Sequence, residues 1–355
     1  MKKKICLSLL SMLMIFISVI FTSCNGQPEM NDNTLIPENT TSEFGKNDDQ
    51  TQDDESEHDA DKEDPDFEYI LLPNETYGIS KLLNTSATEI TVPEQYNGKK
   101  VTKIMSKAFA DASELTTLTI KGNIQEIEKG ALSGCSSLKS MTLPFVGTTQ
   151  TSSDPLGFIF GTTFYSGAQK AEQSYLCPDG LVRYDNFYIP SKLEKVTVIG
   201  GVIHMYSFEG CAMIKEIVFE DGVTAIESGA FFFCDGLESV SMGKGITELS
   251  DECFRGLTGL KSVLIGENVT KIGYYAFDSC TALKSIVIPG KVTVIEKYAF
   301  DDCTGMESIV FEKTSGWYRD YGNVSGTGMN VTDPALNVKN LTDSKEYSSD
   351  RWKRR

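Results

Sequence analysis

The chain has 355 residues, with 33 Lys or Arg against 50 Asp or Glu, a formal net charge of −17. Such a surface repels phosphate backbones, because nucleic-acid binding needs clustered cations. The one dense basic cluster, Arg351, Lys353, Arg354 and Arg355, stands at the extreme C-terminus, too short to reverse that balance, so nucleic acid is not an expected partner.

The first elements precede any fold. "MKKK" is a charged n-region and "ICLSLLSMLMIFISVIF" an apolar core of secretory-signal type. It ends in "FTSC", which resembles a bacterial lipobox: small residues at Thr22 and Ser23 stand before Cys24. That resemblance implies a signal peptide over residues 1–23 and a diacylglycerol group on the Cys24 sulfur. The alternatives are an uncleaved anchor or a plain signal peptide with an incidental cysteine. Phe21 replaces the usual aliphatic residue of the box. Loss of Lys2, Lys3 and Lys4 takes the mature charge from −17 to −20. Residues 24–65 then read as an acidic tether. The stretch 47–68 carries twelve acids and one lysine, too little apolar surface to offset its ordering entropy. It lacks the spaced ligands and glycine of a calcium loop.

From there the chain repeats. Phe208, Phe231, Phe254, Phe277 and Phe300 are each 23 residues apart, as are Phe109 and Leu132. Six residues after each anchor comes L-x-x-L-x-L, as in Leu115/Leu118/Ile120, Leu237/Val240/Met242 or Leu283/Ile286/Ile288. The last two apolar positions alternate with polar ones, which is strand periodicity. A second pair follows, for example Val223/Ile226 and Val292/Ile295. One coil has too few apolar side chains for a core, whereas stacked coils bury a continuous one. The expectation is a repeat solenoid of 23-residue coils, mainly β with short helical turns and a parallel sheet along one face. The run Leu193/Val196/Val198 is assigned to a shortened coil anchored by Phe187, 21 residues before Phe208.

"AFxxCxxLxSIxIPxxVTxI" resembles the repeat of the BspA-like leucine-rich-repeat family of bacterial surface proteins. The likeness extends from about residue 67 to the end, with "TVPEQYNGKKVTKI" (91–104) similar to the family's opening segment and 333–355 to its closing one. The solenoid is placed at 66–313. An irregular insertion at 144–186 breaks the period, and "LGFIFG" within it reads as a strand. Residues 314–355 are expected to cap the open end of the core.

Chemistry is sparse. Cys135, Cys211, Cys234, Cys280 and Cys303 all sit three residues after an anchor, in a column that accepts Ala112 and Leu257. They are therefore expected as buried thiols behaving as small hydrophobes. Neighbours one strand spacing apart, roughly 4.8 Å, would make strained disulfides. No C-x-x-C exists, so zinc is not expected. Of two histidines, His58 is in the tether and His204 stands beside "GG". No nucleophile elbow, metalloprotease or phosphate-loop motif is present. The chain is read as a non-enzyme without cofactor or metal.

Binding then falls to the outward strand positions. One column reads Thr117, Ser140, Lys195, Glu216, Ser239, Ser262, Ser285, Ser308; the next reads Thr119, Thr142, Thr197, Val218, Ser241, Leu264, Val287, Val310. Val218, Leu264, Val287 and Val310 are the candidate ligand contacts, since an exposed apolar row marks a contact surface; the competing reading is β-branched strand preference or cover by the tail. The family resemblance implies adhesion to host or neighbouring-cell proteins by an exported, lipid-anchored rod. The other reading is a glycan- or envelope-associated scaffold using the insertion aromatics Phe158, Phe160, Phe164 and Tyr165.

Overall fold

The alternating runs fold as two stacks of short strands. The computed structural model describes residues 64–110, 112–177, 179–320, 325–342 and 350–355. The signal peptide, Cys24 and nearly all of the acidic tether lie outside the described residues. The L-x-x-L-x-L runs form a parallel sheet from Glu89–Thr91 through Thr117–Thr119, Ser140–Leu143, Lys195–Ile203, Glu216–Ile226 and Ser239–Met242 to Ser262–Leu264. Ser285–Ile288 and Ser308–Phe311 pair in the same parallel sense. Register is set by the repeat itself: Ser239 lies opposite Ser262, and Ser285 opposite Ser308. A slip of one residue would turn every core side chain outward. The second apolar pair makes a narrower ladder, with Glu248–Leu249, Lys271–Ile272 and Val294–Ile295 in parallel.

Between the two ladders the anchors pile up. The rings of Phe208, Phe231, Phe254, Phe277 and Phe300 follow one another at 5.3, 5.4, 5.3 and 5.3 Å, within 15° of parallel. All five are buried. The backbone holds the spacing: Phe109 N donates to Ala131 O (2.9 Å), Phe254 N to Ala276 O (2.9 Å) and Phe277 N to Ala299 O (2.8 Å).

That bond also locates stations the period missed. Leu82 N donates to Ala108 O at 2.7 Å, so a further coil starts at Leu82, hidden from the sequence by a 27-residue spacing and the lack of Phe. Phe187 is not an anchor. It lies in the strand Val182–Pro190, paired antiparallel with Ala168–Leu176, and packs its ring 5.1 Å from Phe158. The interrupted station is filled by Leu156–Phe160, since Leu132 N donates to Ile159 O and Leu156 N to Ser207 O, both at 2.8 Å. "LGFIFG" is accordingly not a strand but one helical turn, Gly157–Phe160. An anchor station is a turn, and the demand of the stack overrides the β preference of Phe-Ile-Phe.

Both ends of the described core change direction. Phe67–Leu71 and Tyr77–Leu82 form an antiparallel hairpin at the start. At the other end Arg351–Arg354 runs antiparallel to both Val294–Ile295 and Trp317–Asp320, and Trp317–Asp320 to Ser325–Gly328. Trp317 and Trp352 are buried against Phe311 at 4.9 and 6.2 Å. The helix Pro334–Thr342 is capped by Asp333, whose Oδ1 accepts from Ala335 N at 3.0 Å. Its Asn337 amide donates to Ile309 O at 2.9 Å, satisfying a carbonyl that a further coil would have used. The terminal basic cluster works internally: Arg351 pairs with Glu296 and Lys353 with Asp320, each at 2.6 Å, while Arg355 lies 5.0 Å over Tyr318.

Candidate functional site

The outward face of the sheet follows from strand alternation, and its columns are real. Thr91, Thr119, Thr142, Thr197, Val218, Ser241 and Leu264 are successive register partners, and Val287 faces Val310. Leu264 is 63% exposed, Val287 49% and Val310 40%, whereas Val218 is only part-exposed. The described part of the tail thus leaves the three consecutive residues open to solvent. Serines 239, 262, 285 and 308 flank them on one side. Charges on this face are paired between coils: Lys195 with Glu216 (2.7 Å), Lys215 with Glu194 (2.5 Å), Lys261 with Glu238 (2.8 Å) and Lys284 with Glu307 (2.7 Å). The Lys261–Glu238 and Lys284–Glu307 pairs adjoin the strands that carry the apolar row.

The insertion aromatics do not form one surface. Phe160 is fully buried at its anchor station, and Phe158 is half-buried beneath the Lys129 ammonium at 4.9 Å. Tyr165 is part-buried, with its hydroxyl unpartnered. Only Phe164 of the four is exposed, at 66%. The hairpin instead presents Leu176, Leu181, Val182 and Tyr184 to solvent.

The cysteine column is buried and free of disulfides. Its geometry adds a reason the sequence did not show. The thiols of Cys234, Cys280 and Cys303 donate to the carbonyls of Phe208, Phe254 and Phe277, at 2.9, 3.2 and 3.0 Å. Each joins its coil to the preceding anchor. Burial pushes the Cys303 thiol up to about 12 and those of Cys234 and Cys280 well above the usual thiol range, which removes the thiolate a nucleophile or metal ligand needs. An unfolded Cys303 ionises near 9 and the folded one near 12. Below about pH 9 the thiol therefore leaves stability unchanged, and between about 9 and 12 the unfolded state holds fewer protons and stability falls. Urea midpoints are expected to drop between about pH 8 and about pH 10.5; equal midpoints would contradict buried, protonated thiols.

His204 sits on the turn with Nδ1 3.3 Å from Glu227. Three carboxylates not singled out by spacing, Asp278, Asp301 and Asp302, offer oxygens within 4.8 Å of one another. Asp278 is already engaged by Arg255 Nε at 2.8 Å and by the Ser279 hydroxyl at 3.2 Å.

Sequence reasoning also overlooked the position two residues after each anchor. It has positive φ at Gly134, Gly210, Phe233, Gly256, Ser279 and Asp302, and Phe233 is 71% exposed there. The only sequence signal was a large ring where the other coils carry small residues.

The comparison with protein families agrees with this architecture. A model of the "BspA type Leucine rich repeat region" matches six copies over residues 66–154 and 184–317, more than half of the chain. The unmatched stretch between them lies within the insertion. Among solved structures, a Treponema pallidum leucine-rich-repeat protein is 20% identical over 62% of this chain and 91% of its own, with a TM-score of 0.33. A leucine-rich cell surface protein of Faecalibacterium prausnitzii is 16% identical over 72% and 95%, with a TM-score of 0.27. A leucine-rich-repeat protein of Bacteroides ovatus is 16% identical over 70% and 88%, with a TM-score of 0.30. The comparison with curated proteins finds no match. With its 23-residue period, stacked anchors and six matched repeats, the chain belongs to the BspA-type leucine-rich-repeat family.

Proposed function

We propose that the chain is exported, held at the bacterial cell envelope by a lipid on Cys24, and binds proteins of host or neighbouring cells through the outward face of its sheet. The observation that carries this reading is the exposure of Leu264 and of the register partners Val287 and Val310, one on each of three consecutive coils. Contiguous apolar side chains on a protein surface often mark a contact site. The n-region, apolar stretch and lipobox-like "FTSC" support export and anchoring. A repeat array supplies an extended binding surface, and the paired charges around the row leave the apolar residues as its distinguishing chemistry.

The test is saturable binding of the full chain to matrix and cell-surface proteins, compared with the triple variant Leu264→Ser, Val287→Ser, Val310→Ser. Affinity is expected to fall by roughly tenfold or more. The melting temperature should hardly move, because exposed substitutions rarely shift stability by more than about 0.5 kcal/mol each. Unchanged binding by the triple variant removes the row from the contact. In the same cells, Cys24→Ser is expected to move the protein out of the membrane fraction; retention there would refute lipid attachment.

A further inference from the structure

The hairpin of the insertion, Ala168–Leu176 with Val182–Pro190, is a sheet of two strands only, so each strand has an outer edge. Its register runs without a bulge, and at the turn Cys177 N donates to Leu181 O at 2.8 Å. Facing residues of an antiparallel pair alternate between bonded and non-bonded. The odd-numbered residues therefore bond across the hairpin, and the even-numbered ones aim their N–H and C=O groups outward. Two outward donors agree: Ser174 N donates to the Glu209 carboxylate at 2.6 Å, and Tyr188 N to Gly161 O at 3.1 Å.

The two edges differ. On the first strand Glu209 takes Ser174 N, and the Ser153 hydroxyl donates to Leu176 O at 3.2 Å. On the second, Gly161 takes Tyr188 N, but the outward groups of Val182, Tyr184 and Asn186 have no partner among the described residues. All three residues are exposed. Open edges are ordinarily blunted by lysine, proline or a bulge, and the stretch 182–186 has none of these. Val182 and Tyr184, with Leu176 opposite Val182, also set exposed apolar side chains beside the edge.

The residues of this edge are complementary to themselves. Paired antiparallel with a second copy about a two-fold axis at Tyr184, Tyr184 faces its own counterpart and Val182 faces Asn186 of the second copy. Each outward N–H and C=O then has a partner, because bonded pairs exchange both bonds. Arg183 faces Asp185 of the second copy. A register shifted by two residues either way sets Arg183 against Arg183 or Asp185 against Asp185, and like charges directly opposite are destabilising. Arg183 also pairs with Asp179 at 2.6 Å, and Asp185 accepts from the Tyr175 hydroxyl at 3.1 Å; neither bond uses the backbone edge.

We propose that the stretch 182–186 is a self-association edge, through which two copies of this chain pair antiparallel and join their hairpins into one continuous sheet. The contact is isologous and closes at a dimer, separate from the row of Leu264, Val287 and Val310. Repulsion between two acidic chains is screened beyond about 8 Å at about 0.15 M salt. The facing Arg183 and Asp185 act at a shorter range, with Cβ atoms about 4.5–5.5 Å apart.

Sedimentation velocity of the full chain in physiological salt, at concentrations up to about 1 mM, is expected to show a reversible monomer–dimer equilibrium. Tyr184→Pro removes the central outward N–H without touching a bond inside the hairpin, and is expected to weaken dimerisation roughly tenfold or more. Arg183→Asp and Asp185→Arg each set like charges opposite one another, so each variant alone is expected to stay monomeric. An equimolar mixture of the two restores opposite charges across the edge and is expected to dimerise, a rescue that misfolding cannot produce. The triple serine variant of the sheet row should dimerise as the parent does, so the edge and the row are judged independently. A parent that is monomeric throughout overturns the proposal, as does undiminished dimerisation of Tyr184→Pro. So does a mixture of the charge variants that fails to recover the dimer.

Discussion

Phe254→Ala is expected to cost about 3–5 kcal/mol, the largest loss from any single substitution considered. The ring is fully buried, with Phe231 at 5.4 Å on one side and Phe277 at 5.3 Å on the other. Truncation therefore opens a cavity shared by three coils. The strand bonds on both sides fix the coil spacing, so the neighbours cannot close over the gap, and the cavity term is felt in full. In a stacked array, stability is close to a sum of repeat and nearest-neighbour terms, so two interfaces weaken together. Phe254→Leu should cost only about 1 kcal/mol, since Leu132 fills an equivalent station in the native chain. Urea unfolding followed by circular dichroism measures both. A loss below about 1 kcal/mol for the alanine variant would mean that the stacked rings are not what holds the coils together.

Gln173→Leu is the second expected large effect, and it acts on the insertion. Gln173 is fully buried. Its Oε1 accepts from Gly157 N at 2.7 Å, and its Nε2 donates to Glu209 O at 2.7 Å and to Cys211 Sγ at 3.3 Å. One amide thus ties the antiparallel hairpin to the helical turn before it and to the coil after it. Leucine keeps the volume but leaves the Gly157 N–H and the Glu209 carbonyl without this partner, at about 1–3 kcal/mol for each buried group. The expected result is a loss of about 2–5 kcal/mol that appears first as local opening. Hydrogen exchange should speed up over residues 168–190 before it does in the strands of the sheet. Uniform acceleration along the chain would place Gln173 in the global core instead.

The repeat was legible because stacking makes every coil solve the same packing problem. Ala-Phe at 276/277 and 299/300 recurs since each pair occupies one station, with Phe277 N bonded to Ala299 O at 2.8 Å. The outward columns were legible for the same reason, as side-chain direction alternates with period two. Phe187 misled because its 21-residue distance from Phe208 mimics the period, while the chain between leaves the stack as a hairpin and Leu156–Phe160 takes the station. Leu82 escaped notice because a longer coil and an aliphatic anchor satisfy the same backbone bond without the same letters.

What the sequence by itself determined is the periodic part: the solenoid, its buried Phe and Cys columns, and the row from Leu264 to Val310. Those features are encoded locally and repeated, so spacing alone reveals them. Only the tertiary structure decided which apolar side chains of the insertion reach solvent, that the terminal arginines and lysine close the stack, and that Phe233 stands on a left-handed turn. These depend on contacts between segments with no common period, and on a backbone angle that the letter Phe does not announce.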